Sequence, residues 1–65
     1  MKITINGQSF ETKNQTTLAK VLAEFGAKEP FAVALNGGFI PRKNTDEIVI
    51  TQGDSIELLS PIQGG

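Results

Sequence analysis

Met1, Ile3 and Ile5 alternate with Lys2, Thr4 and Asn6, and the run stops at Asn6-Gly7. A period of two belongs to a strand with one buried face, and Asn-Gly supplies the pair of positive φ angles that a tight type I′ turn demands. The chain must therefore open with a hairpin, whose second strand, Gln8 to Thr12, returns with Phe10 inward.

The next segment has a different period. After the polar linker Lys13-Asn14-Gln15, Thr16 or Thr17 stands as a cap ahead of Leu18, Val21, Leu22 and Phe25, spaced i, i+3, i+4, i+7 on one helical face. Gly26 closes this helix in the left-handed position beyond its end. Neither Ala19 nor Lys20 completes a capping box, so packing of the apolar face must hold the helix. Pro30 starts an extended run, Phe31 to Asn36, in which Phe31, Val33 and Leu35 alternate with Ala32 and Ala34. Asn36-Gly37-Gly38 turns the chain again, and Phe39-Ile40 before Pro41 leaves room only for a short edge strand. Asn44 to Ile50 reads two ways: Asn44 with Glu47 suggests a cap and a helical turn, whereas Ile48-Val49-Ile50 favours a strand. Gly53-Asp54 makes the last turn, and Ser55 to Ser60 is the final strand, with Ile56 and Leu58 on one face. Pro61 to Gly65 is expected to be a flexible tail, carrying two glycines and no charge. A hairpin, one helix and two or three further strands predict an α+β domain spanning residues 1–65, with the helix covering one face of the sheet.

At 65 residues there is room for one domain, and disulfides or a metal are common staples at that size. The chain has no cysteine and no histidine. That removes disulfides, the softest metal ligands, cysteine nucleophiles, histidine bases and the Ser-His-Asp triad, so unaided catalysis is not expected. Six basic against seven acidic residues, without a basic run, Trp or Tyr, leave no electrostatic footprint for nucleic acid. No apolar stretch approaches the roughly 20 residues of a membrane span, and the expectation is a soluble, cytoplasmic protein.

Among residues able to carry chemistry, the last two, Gly64 and Gly65, are the most informative. Two residues without Cβ can thread a narrow channel in a partner and leave a carboxylate uncrowded at its reacting carbon. A carboxylate is a poor acyl donor until an acyl-adenylate gives it a good leaving group, after which a sulfur or amine nucleophile can attack. Gly37-Gly38 lacks the remainder of a phosphate loop and reads as turn chemistry. Asp46-Glu47 and Asp54 with Glu57 have no accompanying ligand types and read as a solvated face. Leu59 alternates with the core positions and should point onto the open sheet face together with Ala32 and Ala34. With Phe39, these residues are candidates for a partner surface.

The Asn-Gly hairpin, the short helix, the segment Ala34-Leu35-Asn36-Gly37-Gly38-Phe39-Ile40-Pro41-Arg42, the segment Gly53-Asp54-Ser55-Ile56-Glu57-Leu58-Leu59 and the final Gly-Gly together resemble the ThiS family, the sulfur carriers of thiamin biosynthesis. The resemblance runs from Met1 to Gly65. It implies a ubiquitin-like β-grasp fold, a mixed sheet of four to five strands covered on one face by one helix, with the first and last strands parallel at its centre. It implies that an E1-like enzyme using ATP and Mg adenylates Gly65, with Gly64 as its required neighbour. A donor enzyme bearing a persulfide would then supply the sulfur that makes Gly65 a thiocarboxylate, the sulfur source for thiazole synthase. Pro61, Ile62 and Gln63 would enter the partner's site, and the carrier itself would bind no cofactor or metal. Sulfur carried on a backbone carboxyl is compatible with a chain that has no cysteine. The sequence departs from the family at Lys43-Asn44-Thr45-Asp46, where many members have a Trp shortly after the Pro-Arg pair. Three alternatives share parts of this reading: a related carrier for molybdopterin synthesis, a ubiquitin-like modifier that passes its carboxyl to lysine, and a docking module that uses only the sheet face.

Overall fold

A computed structural model describes residues 1–59. The elements run in the order β1 (Lys2–Ile5), β2 (Gln8–Glu11), β3 (Thr16–Thr17), α1 (Leu18–Phe25), β4 (Ala32–Leu35), β5 (Gly38–Ile40), a 3-10 helix (Arg42–Glu47), β6 (Val49–Ile50) and β7 (Ser55–Leu59). Five strands form one mixed sheet in the order β2-β1-β7-β4-β5. β1 and β7 run parallel at its centre, with Thr4 opposite Ser55 and Ile5 opposite Ile56. The flanking pairs β1–β2, β4–β7 and β4–β5 are antiparallel. This is the β-grasp arrangement.

Both Asn-Gly turns adopt the backbone their sequence requires. Asn6 and Gly7 lie at φ 54° and 81°, and Asn36 and Gly37 at 50° and 88°. Helix α1 starts where Thr17 accepts a hydrogen bond from the Lys20 amide, and it ends at Gly26, whose φ of 90° lets its N–H reach the carbonyls of Leu22 and Ala23. Its face of Leu18, Val21 and Leu22 packs against Ile3, Ile5, Val33 and Ile56 of the sheet, with Ile50 completing a core in which each residue is at most 4 % exposed. Burial of each such aliphatic side chain stabilises the fold by about 1.5–3 kcal/mol, so this small core is the main source of stability.

Three expectations are corrected. Phe25, expected on the buried helix face, is 38 % exposed, because the helix ends there and the ring reaches only the margin, where it meets Phe10 edge to face at 5.7 Å. The stretch 44–50 is neither one helix nor one strand. A 3-10 helix begins earlier, at Arg42, with Pro41 as its N-cap, and β6 takes only Val49 and Ile50. The linker ahead of α1 leads into β3, which pairs with β6 through Thr16–Ile50 and Thr17–Val49 as a separate two-stranded ribbon. That ribbon draws Ile50 into the core and buries Thr16, whose hydroxyl has no partner among the described residues. Among the described residues no helix is long and apolar enough to cross a membrane.

Asp54 ties the last turn to the neighbouring hairpin. Its carboxylate accepts from the Thr51 amide at 2.8 Å and from the Asn36 side chain at 3.1 Å. Partial burial pushes the carboxyl up, but these hydrogen bonds outweigh it and hold the pKa below the ordinary value of 3.8.

Two predictions concern stability. Leu22→Ala should cost about 2–5 kcal/mol by leaving a cavity in the core, whereas Phe25→Ala should cost about 1 kcal/mol because the ring is already partly in water; urea unfolding measures both. The depressed Asp54 pKa makes its contribution fully present above the unfolded value near 3.8 and lost as the pH falls through the lower folded value. Asp54→Asn should therefore unfold at lower urea than the parent near neutrality, and the two midpoints should converge in acid.

Candidate functional site

The site is built around the end of β7, the strand that delivers the chain to its last residues. Along β7, Ile56 and Leu58 turn towards the helix layer, so Ser55, Glu57 and Leu59 turn away from it. The antiparallel register sets Ala32 opposite Leu59 and Ala34 opposite Glu57, and on the other side of β4 it sets Ala34 opposite Phe39. Leu59, Ala32 and Ala34, expected on the open face, are thus brought together there with Phe39, the fourth candidate for a partner surface. Phe39 is 68 % and Leu59 71 % exposed, and the alanines between them end at Cβ, which leaves a shallow apolar floor flanked by two large side chains. The far side of the same face is polar, where Lys2 pairs with Glu11 and Thr4 with Ser9. A partner meeting this face would find an apolar end beside the exit of β7 and a polar end beyond it.

Two contributors stand outside the expected partner surface, Glu57, read as part of a solvated face, and Asn6. Glu57 lies within the apolar strip, next to Ala34, and gives it one negative charge. The alternation that turns Leu59 outward turns Glu57 outward too, so the signal is present in the sequence. Asn6 is expected only to form a turn, yet its backbone N–H donates to the Ile56 carbonyl and its Oδ1 accepts from the Leu58 amide, both at 2.8 Å. The side chain thereby carries the β1–β7 ladder past the end of β1 and anchors β7 one residue before Leu59. No local pattern announces this, because the partner lies at the other end of the chain.

The remaining candidates serve the scaffold. Gly37 forms the β4–β5 turn with Asn36, and Gly38 opens β5 opposite Leu35. Arg42, part of the Pro-Arg pair, lies 5.1 Å above the Phe31 ring and forms an ion pair with Glu29, fastening the loop before β4 to the 3-10 helix. Two shallow clefts occur on the helix side, and neither includes Phe39 or Leu59. Among the described residues no group of three acidic side chains could hold a metal ion. The expectations for Pro61, Ile62, Gln63, Gly64 and Gly65 lie outside the described residues.

Two solved structures are similar to this chain. The crystal structure of the thiamine biosynthesis protein ThiS from Geobacter metallireducens is 25% identical, with a TM-score of 0.85 and 100% of both chains covered. An NMR solution structure of a thiamine biosynthesis protein from the same organism is 25% identical, with a TM-score of 0.82, covering 100% of this chain and 88% of that one. No curated protein sequence matches. The family model described as the ThiS family matches residues 3–65, and so takes in Gly64 and Gly65. With that match over nearly every residue and the β-grasp sheet in place, the chain belongs to the ThiS family of small sulfur carriers.

Proposed function

We propose that this chain carries sulfur for thiazole formation in thiamin biosynthesis, as a thiocarboxylate on Gly65. The observation that carries the reading is the family match, which extends through the Gly-Gly end at 64 and 65. The apolar strip beside the exit of β7 supports it further, since an enzyme that takes the last residues needs a surface to grip close to them.

The chemistry needs little from the chain beyond reach. A carboxylate oxygen of Gly65 attacks the α-phosphorus of ATP within an E1-like enzyme, pyrophosphate leaves, and the acyl carbon now bears AMP as its leaving group. A persulfide sulfur from the donor enzyme attacks that carbon and displaces AMP, and thiol reduction of the new sulfur–sulfur link leaves the thiocarboxylate. ATP and Mg belong to the adenylating enzyme, and thiazole synthase consumes the product. Gly64 keeps the approach to the reacting carbon free of a side chain. Residues 1–59 act as the handle, residues 61–65 as the arm, and the whole chain works in the cytoplasm as one domain. Leu59, Phe39, Ala32 and Ala34 dock on the adenylating enzyme, with Pro61, Ile62 and Gln63 lining the way into its site.

Deleting Gly65 should abolish ATP–pyrophosphate exchange with the cognate E1-like enzyme while the urea midpoint stays put. Incubation with that enzyme, ATP and a persulfide donor should create one site alkylated by a thiol reagent, and fragmentation should place it on Gly65, since the chain has no cysteine. Exchange by the deletion variant at the parental rate, or a ladder of lysine isopeptides in place of the alkylated product, would overturn the carrier reading. Paired replacement of Phe39 and Leu59 by Glu should raise the KM of exchange at least about tenfold with the fold intact, as loss of two apolar anchors predicts.

A further inference from the structure

We propose that Asn6-Gly7 is a site of spontaneous deamidation, and that it reacts ahead of the otherwise matched Asn36-Gly37. The molecule contains its own control. The two dipeptides share a sequence and a turn geometry, with φ of 54° and 81° in one and 50° and 88° in the other. Both asparagines are exposed. A Cβ built on either Gly7 or Gly37 meets nothing within 4 Å, so the attacking nitrogen is equally uncrowded in both.

Their surroundings differ in two ways. The Asn36 side chain is held at both ends: Oδ1 accepts from the Ser55 amide at 2.9 Å, and Nδ2 donates to Asp54 at 3.1 Å. Among the described residues, Asn6 is held through Oδ1 alone, by the Leu58 amide at 2.8 Å. The charge against each also differs. Asp54 places a carboxylate against Asn36, whereas Asn6 lines a cleft of about 240 Å³ with Lys28, Phe25, Phe31 and Leu58, and among the described residues no carboxylate bonds its side chain.

Both differences act on the rate-limiting events. Hydroxide removes the proton from the Gly7 amide, and the nitrogen attacks Cγ of Asn6, forming a nitrogen–carbon bond and an oxyanion. The Cγ–Nδ2 bond then breaks, Nδ2 takes a proton from water, and ammonia leaves a cyclic imide. Water opens the imide at either carbonyl to give aspartyl or isoaspartyl, with no change of oxidation state. Negative charge builds throughout the attack, so the Asp54 carboxylate bonded to Asn36 opposes it there and not at Asn6. The extra hydrogen bond further restrains Asn36 from rotating Cγ onto the nitrogen.

The product matters because of where Asn6 sits. Conversion adds a negative charge to a chain of net charge −1, and the isoaspartyl form inserts a methylene into the main chain at the residue that bonds Ile56 and Leu58. The end of β7 loses its anchor, and an aged chain differs from a fresh one at the strand that leads to residues 60–65.

The folded full-length protein, held in mildly alkaline buffer, should be sampled over time, separated by anion exchange and mapped by peptide mass spectrometry with isoaspartyl methyltransferase labelling. Product at Asn6 should accumulate about two- to tenfold faster than at Asn36, the range set by one hydrogen bond and one exposed carboxylate. The two rates should converge in urea. Equal rates in the folded protein, faster reaction at Asn36, no product at Asn6 when an unfolded Asn-Gly peptide is fully converted, or a difference that persists unchanged in urea would each overturn the proposal.

Discussion

The parallel pairing of β1 with β7 joins the two ends of the chain, and the rest of the architecture is arranged around it. Register contact between the two strands amounts to Thr4 with Ser55 and Ile5 with Ile56. So short a ladder is weak by itself, and it persists because everything near it is over-determined. Ile3, Ile5 and Ile56 lie beneath α1 in the core, and the Thr4 amide bonds the Asp54 carbonyl. Asn6 then takes over where β1 ends, and Asn36 bonds Ser55 from the opposite flank through both its backbone and its side chain. Two turn asparagines thus act as clamps on the strand that neither of them belongs to.

This arrangement divides labour between the two faces of the sheet. The helix layer takes nearly all large aliphatic side chains, leaving the other face free to differ along its length. Its apolar end adjoins the exit of β7 and its polar end adjoins the opening hairpin. Stability therefore rests on the helix side, and the exposed residues of the open face can change at little cost to the core.

Legibility in the sequence follows the range of the physics. The hairpin turns are readable because Asn-Gly meets a local demand, positive φ, that few other pairs satisfy. Helix α1 is readable from its spacing and from Gly26, and the outward strip of Ala32, Ala34 and Leu59 from simple alternation. The β3–β6 ribbon is not, since two-residue strands carry no period and exist only because Thr16 and Thr17 meet Ile50 and Val49 from far along the chain. Phe25 escapes the same logic because spacing fixes the direction of a side chain but not whether a neighbour reaches that far along the helix. The 3-10 helix at Arg42 to Glu47 depends on Pro41 and on Thr45 bonding back to the Arg42 carbonyl, a turn-scale device that a helix template overlooks. The Gly64–Gly65 reading rests on sequence and family membership, as these residues lie outside the described ones.

The edges of the sheet carry a consequence of their own. An open edge is a template on which foreign strands polymerise, and a chain that displays Phe39 and Leu59 would be vulnerable if that edge were long. β5 is only three residues long, and Pro41, which has no amide proton to offer, comes directly after it. β2 at the other border ends in Glu11 with Lys13 close behind, so added strands would meet charge. Strand addition at either border is thereby disfavoured, and the broad face is the part of the sheet left open to side-chain contact.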